Sequence, residues 1–224
     1  MFELLINPKR AERQPWHMFI VGLLYGGLAM FLTWLFFSGD FVNSQYMGWI
    51  LVLFCVLFSF PFIYYMIKLE ERRDDEDYEN EGRLLFAHRK ALYSFMWLFL
   101  GFIVAFSIIH MILPRGNLLL KTQIEVFCQM NNKDNYDICL SQYGFGDSSS
   151  LTGTVTSSQR LLRIFENNAG VLIFTIILSL IFGTGAIFIL AWNASVIAAA
   201  IGIFSKMNIM NLPIAVGRFM IHGV

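Results

Sequence analysis

Apolar and polar positions fall in long blocks along this chain, not in the short alternations of a half-buried strand. Met18–Phe37, Met47–Ile67 and Ala91–Leu113 are three apolar runs with no Asp, Glu, Lys or Arg. Each is close to the roughly 20 residues that an α-helix needs to cross the hydrocarbon core of a bilayer. Ala169–Phe204 is longer still, 36 residues without an Asp, Glu, Lys, Arg or His. One straight helix of that length would extend about 54 Å, against a core about 30 Å thick. The run therefore has to break, and Gly183-Thr184-Gly185 lies near its middle. The expected form is a membrane hairpin with arms at about 169–182 and 185–204. Its turn is buried among neighbours, because it has no basic residue to hold it at the surface.

The pattern predicts an all-α fold: a polytopic transmembrane bundle with a Gly-broken hairpin and a loop region outside the cell. It forms a single membrane domain over 1–224, with spans near 18–37, 47–67, 91–113, 169–182 and 185–204. A charged connection covers 68–90, and 114–168 is the extracytoplasmic region. Within the latter, Leu118–Met130 reads as an amphipathic helix and Asn131–Thr156 as turn-rich. Ser157 or Ser158 then caps a helix over Gln159–Glu166. Pro61 predicts a kink in the second span. Lys206–Val224 reads as a surface helix.

Composition sharpens the class. The chain is 57% hydrophobic and 14% charged, with no net charge, whereas soluble domains run about 25% charged. No basic patch interleaved with aromatics is present, which argues against nucleic acid. Lys9, Arg10, Arg13, Lys68, Arg72, Arg73, Arg83, Arg89 and Lys90 flank one side of the first three spans. By the positive-inside rule the N-terminus and the 68–90 connection are cytoplasmic in a cell-membrane protein. Met1–His17 is either a segment lying on the membrane face or a basic flank that only sets topology. The acidic run from Glu70 to Glu81 is either a solvated face or a docking surface for a cytoplasmic partner.

Chemistry-bearing residues are few. His17, His88, His110 and His222 lie on separate segments, and neither His-Glu-x-x-His nor Gly-x-Ser-x-Gly occurs. We expect no catalysis, no cofactor and no metal; His110 reads as an interfacial histidine and not a ligand. Cys55 lies in an apolar run and reads as a core thiol. Cys128 and Cys139 share the outer loop, where an oxidising compartment favours their pairing. Gly22 and Gly26 form a small-xxx-small pair for close helix approach, within the chain or between copies. Thr175, Ser179 and Gly183 on the first hairpin arm face Ala194, Ala198 and Gly202 on the second. Asn193, Ser195 and Thr184, with Gly183 and Gly185, are the polar and packing residues at membrane depth.

An Asn167-Asn168 pair opens the long run, Gly183 and Gly185 break it, Asn193 lies in its second half, and His222-Gly223 follows. Together these resemble the stage II sporulation protein M family. Pro8 to Glu12, in the pattern Pro-x-x-Ala-Glu, and His88-Arg-Lys-Ala91 resemble its archaeal branch. The resemblance implies an integral membrane protein without catalytic residues; the sporulation member anchors wall-degrading partners. The family has Asn-Gly where this chain has Asn193-Ala194. It also continues past His-Gly to a Glu and another span, which predicts that this chain is truncated after Val224.

The functional expectation is a non-catalytic membrane scaffold or assembly component linked to membrane remodelling or envelope complexes. Its partners are the lipid bilayer, a second copy of itself in a homodimer or larger homo-oligomer, and a cytoplasmic or extracytoplasmic protein. The rival reading is a small-molecule or lipid transporter or channel subunit built on the broken helix around Asn193.

Overall fold

The computed structural model describes residues 14–37, 46–76, 81–113, 116–131, 136–142, 145, 169–170, 173, 176–177 and 185–207. All regular structure among them is helical. In chain order the elements are α1 (His17–Phe37), α2 (Met47–Glu76), α3 (Glu81–Ile112), α4 (Gly116–Leu119), α5 (Lys121–Asn131), α6 (Tyr136–Gln142) and α7 (Gly185–Met207). Three helices are long and apolar enough to cross a membrane, at His17–Phe37, Met47–Leu69 and Arg89–Ile112. The apolar stretch of α7, Ile187–Gly202, is shorter.

The sequence predicts that the charged connection starts as a helical continuation of the second span, and it does; the boundary that moves is the start of α3. The second span extends as one helix to Glu76, and α3 begins at Glu81, so most of the charged 68–90 connection is helix. The apolar run marks where lipid contact ends; the backbone hydrogen-bond ladder has no reason to stop there, since Glu, Arg and Lys are good helix formers. Pro61 lies inside α2, which continues through it. In the region read as turn-rich, Tyr136–Gln142 forms a short helix, closed by the Phe145 amide donating to the Leu140 carbonyl at 2.9 Å. The expected helix at 159–166 and the Gly183-Thr184 turn lie outside the described residues. So does most of the first hairpin arm, of which positions 169–170, 173 and 176–177 are helical.

The first three helices run up, down and up. Tyr25 of α1 meets Phe58 of α2 at 6.3 Å between ring centroids, and Phe62 of α2 meets Phe95 of α3 at 6.4 Å. The most extensive contact is between α1 and α3, which run parallel. Its cause is a pair of glycines. A Cβ placed on Gly22 would lie 3.0 Å from the Gly101 Cα and run into the Leu98 carbonyl oxygen. One placed on Gly101 would lie 2.9 Å from the Gly22 Cα and run into the Phe19 carbonyl oxygen. The two backbones touch, each glycine turning a Cα–H toward the facing carbonyl, the weak contact that recurs at close helix crossings. One turn on, Gly26 sits against Ala105, Phe102 and Phe106. The Gly22-xxx-Gly26 pair thus serves an intra-chain seam, matched by Gly101-xxx-Ala105. Lipid tails are as apolar as leucine, so this dispersion packing, and not water exclusion, holds the helices together.

Beside the seam, Met18, Val21, Leu98, Phe102 and Phe106 fill the interior. The opposite face of α1 presents Ile20, Leu24, Leu28, Phe31 and Leu35 at helical spacing to the outside. Apolar residues on both faces are what a bilayer requires and water penalises.

Candidate functional site

The chemistry-bearing residues gather at one end of the bundle, where α2 starts, α3 ends and the short helices α4–α6 form a cap. Leu119 and Leu120, leading in from α4, and Gln123, Ile124, Phe127 and Cys128 of the amphipathic α5 are all buried. Cys128 is bonded to Cys139, which ties α5 to α6. Lys121 sits 3.8 Å from Glu125 and 5.7 Å from the Phe145 ring centroid. Both partners of that ion pair are about one-third exposed, so it contributes little to stability. Burial, with Glu125 and Asp137 adding to it, pushes the Tyr136 phenol above its usual range.

The cap docks on α2 through Gln123. Its side chain is fully buried, and Nε2 donates to the Gly48 carbonyl at 3.0 Å. Gly48 makes room for it: a Cβ there would run into the Gln123 amide. Gln123 Oε1 is buried without a hydrogen-bond partner among the described residues. The amide is therefore half satisfied, a polar group on a buried interface that makes one of its bonds.

On the other side of this junction, α7 meets α3, α2 and α5. Trp49, in the first turn of α2, packs on Trp192 with ring centroids 4.3 Å apart, and on Phe188 at 6.2 Å. Phe188 and Trp192 are one turn apart on α7 and stack at 6.4 Å. Trp49 stays 46% exposed, the half-buried position that indole rings take at a membrane boundary. Farther along α7, Gly202 lies over the ring of His110, near the end of α3. A Cβ on Gly202 would be 3.1 Å from Cγ, 3.1 Å from Cδ2 and 3.2 Å from Nδ1, so the glycine covers the ring face. His110 is fully buried.

The residues singled out from sequence divide as follows. Ala194 and Ala198 are fully buried and Gly202 is buried. That small-residue face, expected against the first hairpin arm, meets α3 at Gly202. Ser195 is buried, and its hydroxyl donates to the Trp192 carbonyl of its own helix at 2.7 Å. Gly185 is buried at the start of α7. Asn193 is half-buried on the edge of the buried face, and the hydrogen bonds of the described residues do not include its amide. Gly22 and Gly26 lie in the α1–α3 seam, away from α7. Thr184, Gly183, Asn167, Asn168, His222 and Gly223 lie outside the described residues.

Sequence reasoning missed Gln123, Gly48, Trp49 and the enclosure of His110. Gln123 had a readable signal, since it falls four residues after Leu119 and four before Phe127, on the apolar face of an amphipathic helix. The Gly101-xxx-Ala105 spacing was likewise legible as a partner for Gly22-xxx-Gly26. Nothing in the sequence paired Gly48 with Gln123 or Gly202 with His110.

Among the described residues, no group of three or more His, Cys, Asp and Glu side chains is placed to hold a metal ion. No protein-family model matches the chain, no curated protein matches it, and no solved structure matches it.

Proposed function

We propose that this chain is a non-catalytic multi-pass membrane scaffold, a rigid bundle that presents its extracytoplasmic cap and its charged cytoplasmic helix extensions to other components of the envelope. The observation that carries this reading is the α1–α3 seam. Where Gly22 meets Gly101 the backbones are in contact, and the surrounding interior is filled by Met and Phe side chains. Two span hydroxyls are turned back on their own helices: Thr33 donates to the Ala29 carbonyl at 2.8 Å and Ser94 to that of Lys90 at 3.0 Å, while those of Ser59 and Ser107 are buried without a hydrogen-bond partner among the described residues. The stage II sporulation protein M resemblance points the same way, toward an anchor without chemistry of its own.

We place the N-terminus in the cytoplasm. Lys68, Arg89 and Lys90 lie at one end of the bundle, and the Cys128–Cys139 disulfide lies in the cap at the other. Positive flanks favour the cytoplasm and disulfides favour an oxidising compartment, so the two criteria assign the same orientation. With Gly22 and Gly26 engaged inside the chain, self-association has to use an outward face, such as that of α1 with Ile20, Leu24, Leu28, Phe31 and Leu35.

The transporter reading retains one supporting observation. The helix α7 starts at Gly185, has a short apolar stretch and carries Asn193 half-buried, as broken helices at transporter sites do. Cross-linking in native membranes, paired with a flux assay on reconstituted vesicles, separates the two. A scaffold gives a reproducible cross-linked partner and vesicles no leakier than protein-free ones. Solute flux that Asn193→Leu abolishes, without loss of folded protein, refutes the scaffold.

A further inference from the structure

We infer that the bundle is fitted to a thin bilayer, one whose hydrocarbon core is about 25 Å across where a typical core is about 30 Å. This rests on α1, α2 and α3 being membrane spans and is independent of the scaffold role. Tyr and Trp rings gather at the two water boundaries of a bilayer, so two ring levels on one molecule measure the core between them.

Ring contacts between the helices fix those levels. Tyr25 of α1 meets Phe58 of α2. Trp34 is nine residues after Tyr25, and Trp49 is nine before Phe58. The two helices run in opposite directions, so both indoles stand about 14 Å from that contact, at one level near the cap. At the other end, Phe62 of α2 meets Phe95 of α3. Tyr64 is two residues after Phe62 and Tyr93 two before Phe95, so the two phenols share a level about 3 Å beyond that contact. Trp16 joins them from α1. It is six residues before Gly22, while Tyr93 is eight before Gly101, on parallel helices whose backbones touch at those glycines. The two rings therefore differ by only about 3 Å in height. Trp16, Trp49, Tyr64 and Tyr93 are between 43% and 51% exposed, and Trp34 is half-buried.

The distance between the levels is short. On α1, Trp16 to Trp34 is 18 residues, about 27 Å; on α2, Trp49 to Tyr64 is 15 residues, about 22 Å. Every exposed residue of α1 and α2 between those rings is Ile, Leu, Phe or Pro. Tilt only shortens a helix's projection on the bilayer normal, so both lengths are upper bounds on the core. The uncharged runs are longer because they continue past the rings; Ile67 lies three residues beyond Tyr64. A thicker core would pull the rings off the headgroups or have to thin around the bundle, at a cost that grows with the mismatch.

The test reconstitutes the full chain in phosphatidylcholine vesicles that differ only in their monounsaturated acyl chains: dimyristoleoyl, dipalmitoleoyl, dioleoyl, dieicosenoyl and dierucoyl, in rising length. A fluorogenic thiol dye on the buried Cys55 reads the midpoint of thermal unfolding in each. The midpoint is expected to peak at a chain shorter than oleoyl and to fall with every further lengthening. A flat series, or a peak at dioleoyl or beyond, overturns the inference. A chain that floats with none of the vesicles overturns instead the membrane reading beneath it. Trp34→Leu with Trp49→Leu removes the rings at the cap end and is expected to move the peak to a longer acyl chain, whatever it does to the peak's height. Should that variant not fold, Trp16→Leu with Tyr93→Leu makes the same test on the exposed rings of the other end. A peak that stays in place in a folded variant assigns the thickness to something other than the rings and overturns the argument.

Discussion

Replacing Gly22 with alanine adds one methyl to the closest point of the bundle. That methyl would stand 3.0 Å from the Gly101 Cα, where carbon atoms rest at about 3.5–4.0 Å. It would also meet the Leu98 carbonyl, a backbone atom that cannot rotate away. Relief requires α1 and α3 to part by about 0.5–1 Å, a gap that forfeits about a quarter to a half of each affected dispersion contact. Overpacking of this kind costs about 1–3 kcal/mol, and alanine's better helix propensity returns up to about 1 kcal/mol. We expect Gly22→Ala to destabilise by about 1–2 kcal/mol, and Gly101→Ala by a similar amount, since its methyl would lie 2.9 Å from the Gly22 Cα. The double variant should lose clearly less than the sum, because one separation relieves both clashes. Gly27→Ala is the internal control. Its methyl would meet only Ile109 Cδ1 at 3.7 Å, an ordinary contact, so the change should be neutral or stabilising by up to about 1 kcal/mol. Cys55 provides the assay. It is fully buried and is the free thiol among the three cysteines, so a thiol-reactive fluorogenic dye reads unfolding of the bundle. If Gly22→Ala unfolds together with Gly27→Ala, or the two seam variants add in full, the helices are not held at backbone contact and the seam argument fails.

Two further outcomes follow from the cap. The Cys128–Cys139 bond spans a sequence separation of 11 residues, a loop whose closure in the unfolded chain corresponds to about 3 kcal/mol. The double Cys→Ser variant should lose up to that amount in the Cys55 dye assay and lose the mobility shift between reducing and non-reducing gels; an unchanged unfolding midpoint would make the staple redundant. Gln123→Leu should change stability by less than about 1 kcal/mol, because it removes an amide whose Oε1 is unpartnered along with the bond to Gly48. Gly48→Ala should cost more, about 1–3 kcal/mol, because its methyl displaces that amide and leaves it buried and unbonded. The reverse ranking in the same dye assay would refute the docking described for the cap.

The sequence by itself determined the class and the material. Runs without charge, near the length of a bilayer crossing, leave the backbone one way to satisfy its hydrogen bonds in lipid, and α1, α2 and α3 take it. Helical spacing within Leu118–Met130 likewise determined an amphipathic segment. These features are local: they depend on residue type, period and length. Tertiary structure decided which small residues face each other. Spacing alone marks Gly22 and Gly26 as able to meet a neighbour, but is silent on whether that neighbour is a second copy or Gly101. The same holds for Gly202, which packs on His110, and for Gln123, whose carbonyl partner is 75 residues away. Helix pairing in a membrane lacks the hydrophobic gradient that orients helices in water, so the choice rests on steric fit between backbones. Such fit is a relation between distant positions, and becomes visible only once the chain has brought them into contact.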